Sequence, residues 1–156
     1  MTAYRFLVAA ALALALLGFV LVLTQRAGAP AVVADPVRTP GVLNPDVTQA
    51  TIGTTICVQG WTRTVRPPTD YTNALKLRQM RAYGESGPPS AYQEDHLISL
   101  ELGGHPTDPR NLWPEPYPRA SHVDTIENEL NAQVCSGSLT LAQAQQKESA
   151  LKHSQG

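Results

Sequence analysis

Tyr92 to Pro116 reads YQEDHLISLELGGHPTDPRNLWPEP, and this stretch decides the fold. It places an acid beside an imidazole, Asp95-His96, then alternates apolar residues through Leu97, Ile98, Leu100 and Leu102 into Gly103-Gly104. Such alternation predicts a strand from His96 to Leu102, and the paired glycines predict the turn that ends it. Fifteen residues after His96 come Asn111-Leu112, then Trp113, with Pro114, Pro116 and Pro118 closing the segment. This second arm predicts a short returning strand or turn, so Asp95, His96 and Asn111 belong to one small hairpin.

Outward from the hairpin the elements are helical. Thr72 to Tyr83 (TNALKLRQMRAY) reads as a helix carrying Leu75, Leu77 and Met80 among basic residues, with Gly84 as its stop. Before it, Pro67-Pro68 breaks the chain, and Thr54 to Val58 (TTICV) predicts a short strand on β-propensity. After the hairpin, Ala120 to Val134 spaces Val123, Ile126, Leu130 and Val134 near a helical period. Thr140 with Gln143 three residues on matches a capping box, which starts a last helix reaching about Lys152. Strand, helix, strand pair, helix, helix is a small α+β domain, placed over residues 51–153. Residues 27–50 carry Pro30, Pro36, Pro40 and Pro45 without apolar periodicity and read as an extended tether.

The amino-terminal end belongs to a different solvent. Phe6 to Leu23 is 18 residues without a charge, bounded by Arg5 and Arg26. At about 1.5 Å per residue it spans roughly 27 Å, near the hydrocarbon thickness of a bilayer. Residues 1–26 are therefore expected to act as a transmembrane signal-anchor or as a signal peptide. Ala27-Gly28-Ala29 and Val33-Ala34 offer small residues for cleavage, and Pro30 disfavours the first. Either way the domain is expected outside the cytoplasm, at the cell membrane or secreted. Two cysteines, Cys57 and Cys135, then suit a disulfide closing almost eighty residues, worth roughly 4–5 kcal/mol in the chain-entropy model. Two buried free thiols are the alternative.

The formal charge of -1 conceals a division. Arg63, Arg66, Lys76, Arg78 and Arg81 crowd residues 61–82 against Asp70, whereas residues 85–129 hold nine carboxylates against Arg110 and Arg119. An enzyme acting on a polyanion can use such a pair of segments, one for phosphates and one for metal. Two solvated faces attracting one another would give the same composition.

Asp95-His96, Gly103-Gly104 and Asn111-Leu112 at these spacings resemble the core of the HNH endonucleases, the ββα-metal (His-Me finger) group. The flanking pieces CVQGWTRTVRPP, YTNALKLRQMRAYG, DPRNLWPEP and VCSGSLTLAQAQ are similar to those of small exported bacterial HNH-like proteins, so the likeness covers about residues 55–146. The resemblance implies a ββα-metal domain with flanking helices that hydrolyses phosphodiester bonds in DNA or RNA with a divalent ion such as Mg²⁺. It implies His96 as general base, Asp95 as metal ligand and Asn111 as the residue that orients the base across the hairpin. The chemistry is sound on its own terms, since a neutral imidazole titrates near working pH and a cation offsets charge on the phosphate. Arg63 and Arg66 are the candidate phosphate contacts.

The sequence also departs from the group. Ser99 stands before Leu100 where proline is common. The group supplies a third residue on the next helix about nine positions after the asparagine, and a partner three further on. Here those positions hold Ala120 and Val123. His122 becomes the substitute ligand if the helix register shifts, with Glu115 as another oxygen donor. Without a Cys-x-x-Cys pair the zinc-stapled form is excluded. Two other readings follow: an extracytoplasmic domain that keeps the scaffold without catalysis, and a polysaccharide-active enzyme using Glu94 and Glu115 across a groove.

Overall fold

The computed structural model describes residues 32–154, and the apolar run at residues 6–23 lies outside them. Among the described residues, no helix is long and apolar enough to cross a membrane. They form a small α+β unit of helices α1 (Trp61–Val65), α2 (Thr69–Tyr83), α3 (Arg119–Cys135) and α4 (Leu141–Ser154), with strands β1 (Tyr92–His96) and β2 (Leu112–Pro116). The strands pair antiparallel, with Asp95 opposite Trp113 and His96 opposite Leu112.

The helix ends follow local chemistry. Gly84 closes α2 at φ +71, where the Glu85 amide reaches back to the Met80 carbonyl at 2.8 Å. That left-handed residue and six-to-one bond satisfy carbonyls the helix would otherwise strand. At α4 the predicted capping box forms in both directions, Gln143 N–H to Thr140 Oγ1 at 3.2 Å and Thr140 N–H to Gln143 Oε1 at 2.9 Å.

Three expectations are corrected. The strand expected at 96–102 instead ends at His96, because the Asn111 side chain takes both backbone groups of Ile98, and no sheet partner is left for them. The chain then turns through a 3-10 segment, Leu100–Leu102, and its apolar residues all point inward from a turn. A strand at 54–58 is also absent. Thr54 and Thr55 both donate their hydroxyls to the Thr51 carbonyl, which favours the 3-10 turn Ile52–Thr54 over extended chain.

Nor are residues 32–50 a tether: Ala34, Thr39 and Val47 are buried, and this segment is bonded along its length to the rest of the unit. Ala34 N–H donates to the Lys152 carbonyl, Gly41 N–H to Arg110 and Asn44 N–H to Gly103. His153, near the end of α4, donates Nε2–H to the Thr39 carbonyl at 2.9 Å. Prolines suit this path because an edge segment with few ladder bonds does not need every N–H.

The main core gathers Val47, Ile56, Ile98, Leu102, Leu130, Val134, Leu141 and Ala144 between the hairpin loop, α3 and α4. Cys57 and Cys135 form the expected disulfide beside it, with Cα atoms 5.5 Å apart. A second cluster seats the fully buried Trp113 against Ala34 and Leu97, with Tyr83 on one side and the Arg119 guanidinium 5.5 Å from its ring.

Candidate functional site

β1 delivers Asp95 and His96 side by side at the place where the strand ends, so both side chains line one cavity of about 60 Å³. Asn111 holds that geometry. Its amide donates to the Ile98 and His105 carbonyls, each at 3.0 Å, and its Oδ1 accepts the Ile98 N–H at 3.0 Å. Gly104 has to be glycine here, since a Cβ would collide with the Ile98 carbonyl and crowd the Asn111 amide. Asn111 thus acts on the loop after His96 and does not face the cavity.

His96 is 7% exposed, and its Nε2 lies 3.0 Å from the Pro106 carbonyl. A carbonyl only accepts, so Nε2 carries the proton and Nδ1 keeps the lone pair. Burial lowers the imidazole pKa, against the pull of the Pro106 carbonyl and of Asp95. The ring is therefore neutral at pH 7, the state a general base requires.

The rest of the cavity comes from residues that the apolar pattern of the helices hides. Asp124 and Glu127 of α3 bring carboxylate oxygens within 4.8 Å of one another and of Asp95. The Gln93 amide nitrogen spans Asp95 and Asp124 at 3.3 and 3.2 Å, and Tyr117 fixes the far end of that amide at 3.0 Å. Such a set of oxygens suits a hard divalent cation such as Mg²⁺, Ca²⁺ or Mn²⁺ better than zinc, which favours sulfur and imidazole. Ala120 and Val123, at the positions where the HNH group carries its further residues, point into the core; His122, the expected substitute ligand, is exposed on α3 and stands outside this group. The helix meets the hairpin in a register that offers positions 124 and 127 instead.

Beneath the cavity lies a buried ionic network. Lys152 of α4 is fully buried and donates to Asp95 Oδ2 at 2.7 Å, to Glu127 Oε1 at 2.6 Å and to the His96 carbonyl. Glu148, one turn earlier, is 3.4 Å from the same ammonium and accepts the Ser99 N–H with both oxygens, at 3.0 and 3.1 Å. A proline at 99 would have no hydrogen to give, so the serine and the buried glutamate belong together. Glu115 pairs with Arg119 on its other side.

These carboxyls outnumber the cations that face them. Burial would raise Asp95, but Lys152 prevails and holds it down at about 2. Burial and the neighbouring Asp95 push Glu115 up to about 9 despite Lys152 and Arg119. Glu127 and Glu148 are raised as well, chiefly by burial. Burial works against the Lys152 charge, yet its carboxylates hold the ammonium above its ordinary value. One ammonium cannot keep every carboxyl ionised at this depth, and Asp95 keeps the charge while its neighbours are driven toward the protonated form.

Arg66 lines the rim of the cavity and is exposed, placed to meet an anion entering it. Arg63 turns its guanidinium over Gly60 instead and does not line this cavity. Glu94 and Glu115 do not share a groove. Glu115 sits opposite Gln93 in the ladder and so shares its face, while Glu94 takes the other face, which removes the paired-carboxylate reading. No family model, curated protein or solved structure matches this chain.

Proposed function

We propose that the chain is an exported or membrane-anchored HNH-type nuclease that hydrolyses phosphodiester bonds of DNA or RNA with a divalent ion, Mg²⁺ by the chemistry of its oxygen ligands. One observation carries this reading: a neutral His96, its Nε2 fixed on the Pro106 carbonyl, beside the Asp95, Asp124 and Glu127 carboxylates. Those three side chains would hold the ion, whose charge would draw off the proton that burial favours on Glu127. It would offset charge on the phosphate and leaving oxygen. His96 Nδ1 takes the proton from the attacking water as the new P–O bond forms and the bond to the leaving oxygen breaks. Arg66 draws in the phosphate, and Asn111 keeps the loop beyond His96 in place.

Incubation with plasmid DNA and with RNA, with and without Mg²⁺ or Mn²⁺, tests the proposal beside His96→Ala. Removing a general base should lower cleavage about 10²- to 10⁴-fold. Equal cleavage by a folded variant would end the assignment. A second reading, a non-catalytic scaffold, is favoured by one feature: Lys152 already bonds Asp95 and Glu127 and supplies a counter-charge without any metal. Calorimetry separates the two, because no heat of binding with millimolar Mg²⁺, Mn²⁺ or Zn²⁺ leaves only the scaffold.

A further inference from the structure

Between the Leu43–Gly104 bridge and the 3-10 segment Pro109–Asn111 the chain bends, and one side chain closes the bend. His105 is half-buried there, and its Nδ1 accepts two backbone amides, Thr107 N–H at 3.2 Å and Asp108 N–H at 3.0 Å. An N–H only donates, so Nδ1 carries the lone pair and Nε2 the proton. Asparagine and aspartate commonly fill such a place, because an oxygen one bond beyond Cγ reaches the amides two and three residues on. Imidazole Nδ1 stands at the same position along the side chain. The backbone of His105 is itself held on both sides, its N–H by the Val42 carbonyl at 2.8 Å and its carbonyl by the Asn111 amide at 3.0 Å. The ring therefore works from a fixed base.

What the ring fixes is a single peptide plane. Thr107 N–H and the Pro106 carbonyl belong to one planar trans unit, so they point in opposite directions. Anchoring the N–H on His105 Nδ1 aims the carbonyl the other way, and that carbonyl is the one that takes His96 Nε2–H at 3.0 Å. Pro106 has no N–H, so its own backbone offers no second polar anchor for the plane. The Tyr71 hydroxyl donates to the Thr107 carbonyl and steadies the next plane instead. Two histidines are thus joined across one peptide, each through a different ring nitrogen.

We propose that His105 is a positioning residue for His96: through the Pro106–Thr107 peptide, its Nδ1 holds the carbonyl that keeps the His96 proton on Nε2 and leaves His96 Nδ1 free as the base. The reaction it serves rests on the nuclease reading; the tautomer it sets does not. Nitrogen-15 spectra of the imidazole rings, recorded at pH 7 on the full chain with its disulfide formed, read the tautomer. The kcat and KM for cleavage of plasmid DNA with Mg²⁺ read the consequence. Native His96 should be the Nε2–H tautomer alone. His105→Ala should give both tautomers at His96 and lower kcat about 10- to 100-fold, with KM within about twofold. His105→Leu fills the space without an acceptor and should behave like His105→Ala. His105→Asn returns an acceptor to the place of Nδ1 and should restore the single tautomer and most of kcat. An unchanged His96 tautomer in His105→Ala, or His105→Asn no better than His105→Leu, would overturn the assignment. A chain that shows the tautomer change but never cleaves loses the nuclease reading and keeps this role for His105. One in which His105→Ala and His105→Leu cleave as well as the native chain does the reverse.

Discussion

Replacing Lys152 with methionine keeps the aliphatic stem and removes the charge. In the native network the ammonium is fully buried and bonded to Asp95 and Glu127, with Glu148 3.4 Å away. Breaking a buried ion pair from one side costs about 3–5 kcal/mol, because the partner is left in low dielectric. The raised Glu127 and Glu148 can relieve part of this by taking protons, which places the expected loss at pH 7 near the lower end, about 3 kcal/mol. For a unit of about 120 residues the unfolding entropy is roughly 0.25 kcal/mol/K, so Tm should fall by roughly 12 °C. The sign with pH follows from the native shift: Lys152 is raised above 10.5, so its own titration removes nothing below about pH 10.5 and the ammonium stays charged throughout the neutral range. The deficit of the variant should shrink toward pH 4, where the orphaned carboxyls are protonated. Thermal unfolding by circular dichroism at pH 4, 5.5 and 7, with the disulfide intact, measures it. A loss under about 1 kcal/mol at pH 7, or one that does not shrink in acid, would refute the account of Lys152 as the counter-ion of this cluster.

Two further outcomes follow from the fold. Changing Cys57 and Cys135 together to serine opens a loop of sequence separation 78 and should lower stability by about 4–5 kcal/mol, read as a fall in denaturant midpoint. An unchanged midpoint would mean that the bridge constrains little in the unfolded chain. Glu94 has both oxygens buried without partners, and burial raises it from 4.5 to about 8 against the nearby Lys76. Its folded value exceeds the unfolded one, so the native protein loses stability as pH climbs from about 4.5 toward 8. Glu94→Leu should remove that slope and gain about 1–3 kcal/mol at pH 8, with no gain at pH 4, in parallel urea titrations. A variant less stable at pH 8 would show that Glu94 has a partner.

The elements that sequence placed correctly were those with local signatures. Gly84 stops α2, Thr140 and Gln143 start α4, and the Asp95-His96 and Asn111-Leu112 pairs do sit on the two arms of one hairpin. The strand boundary was missed because Asn111 replaces sheet partners with a side chain, a long-range substitution that alternation at 97–102 cannot reveal. The site was half legible for a related reason. His122 is solvent-facing, and the plainer signal in the sequence is polar residues at core positions of a helical repeat. Glu127 stands between the buried Val123 and Leu130 on the inward stripe of α3, and Glu148 and Lys152 continue the stripe of Leu141 and Ala144 on α4. A charge in such a register is expensive unless something waits for it, and here the partners are one another and Asp95. The path of residues 32–50 left no comparable trace, since its contacts are mostly backbone bonds to distant segments.

The bond from Ala34 N–H to the Lys152 carbonyl gives this unit a mechanical character. The chain enters the fold beside the residue whose ammonium neutralises Asp95, so tension drawn through the segment before Val32 would bear first on that junction. Loading there peels contacts off one after another, the Lys152 bond first, then the His153 clasp on Thr39 and the Gly41 and Asn44 bonds behind it. A force on the leading end is therefore felt at the carboxylate cluster well before the disulfide-bridged core.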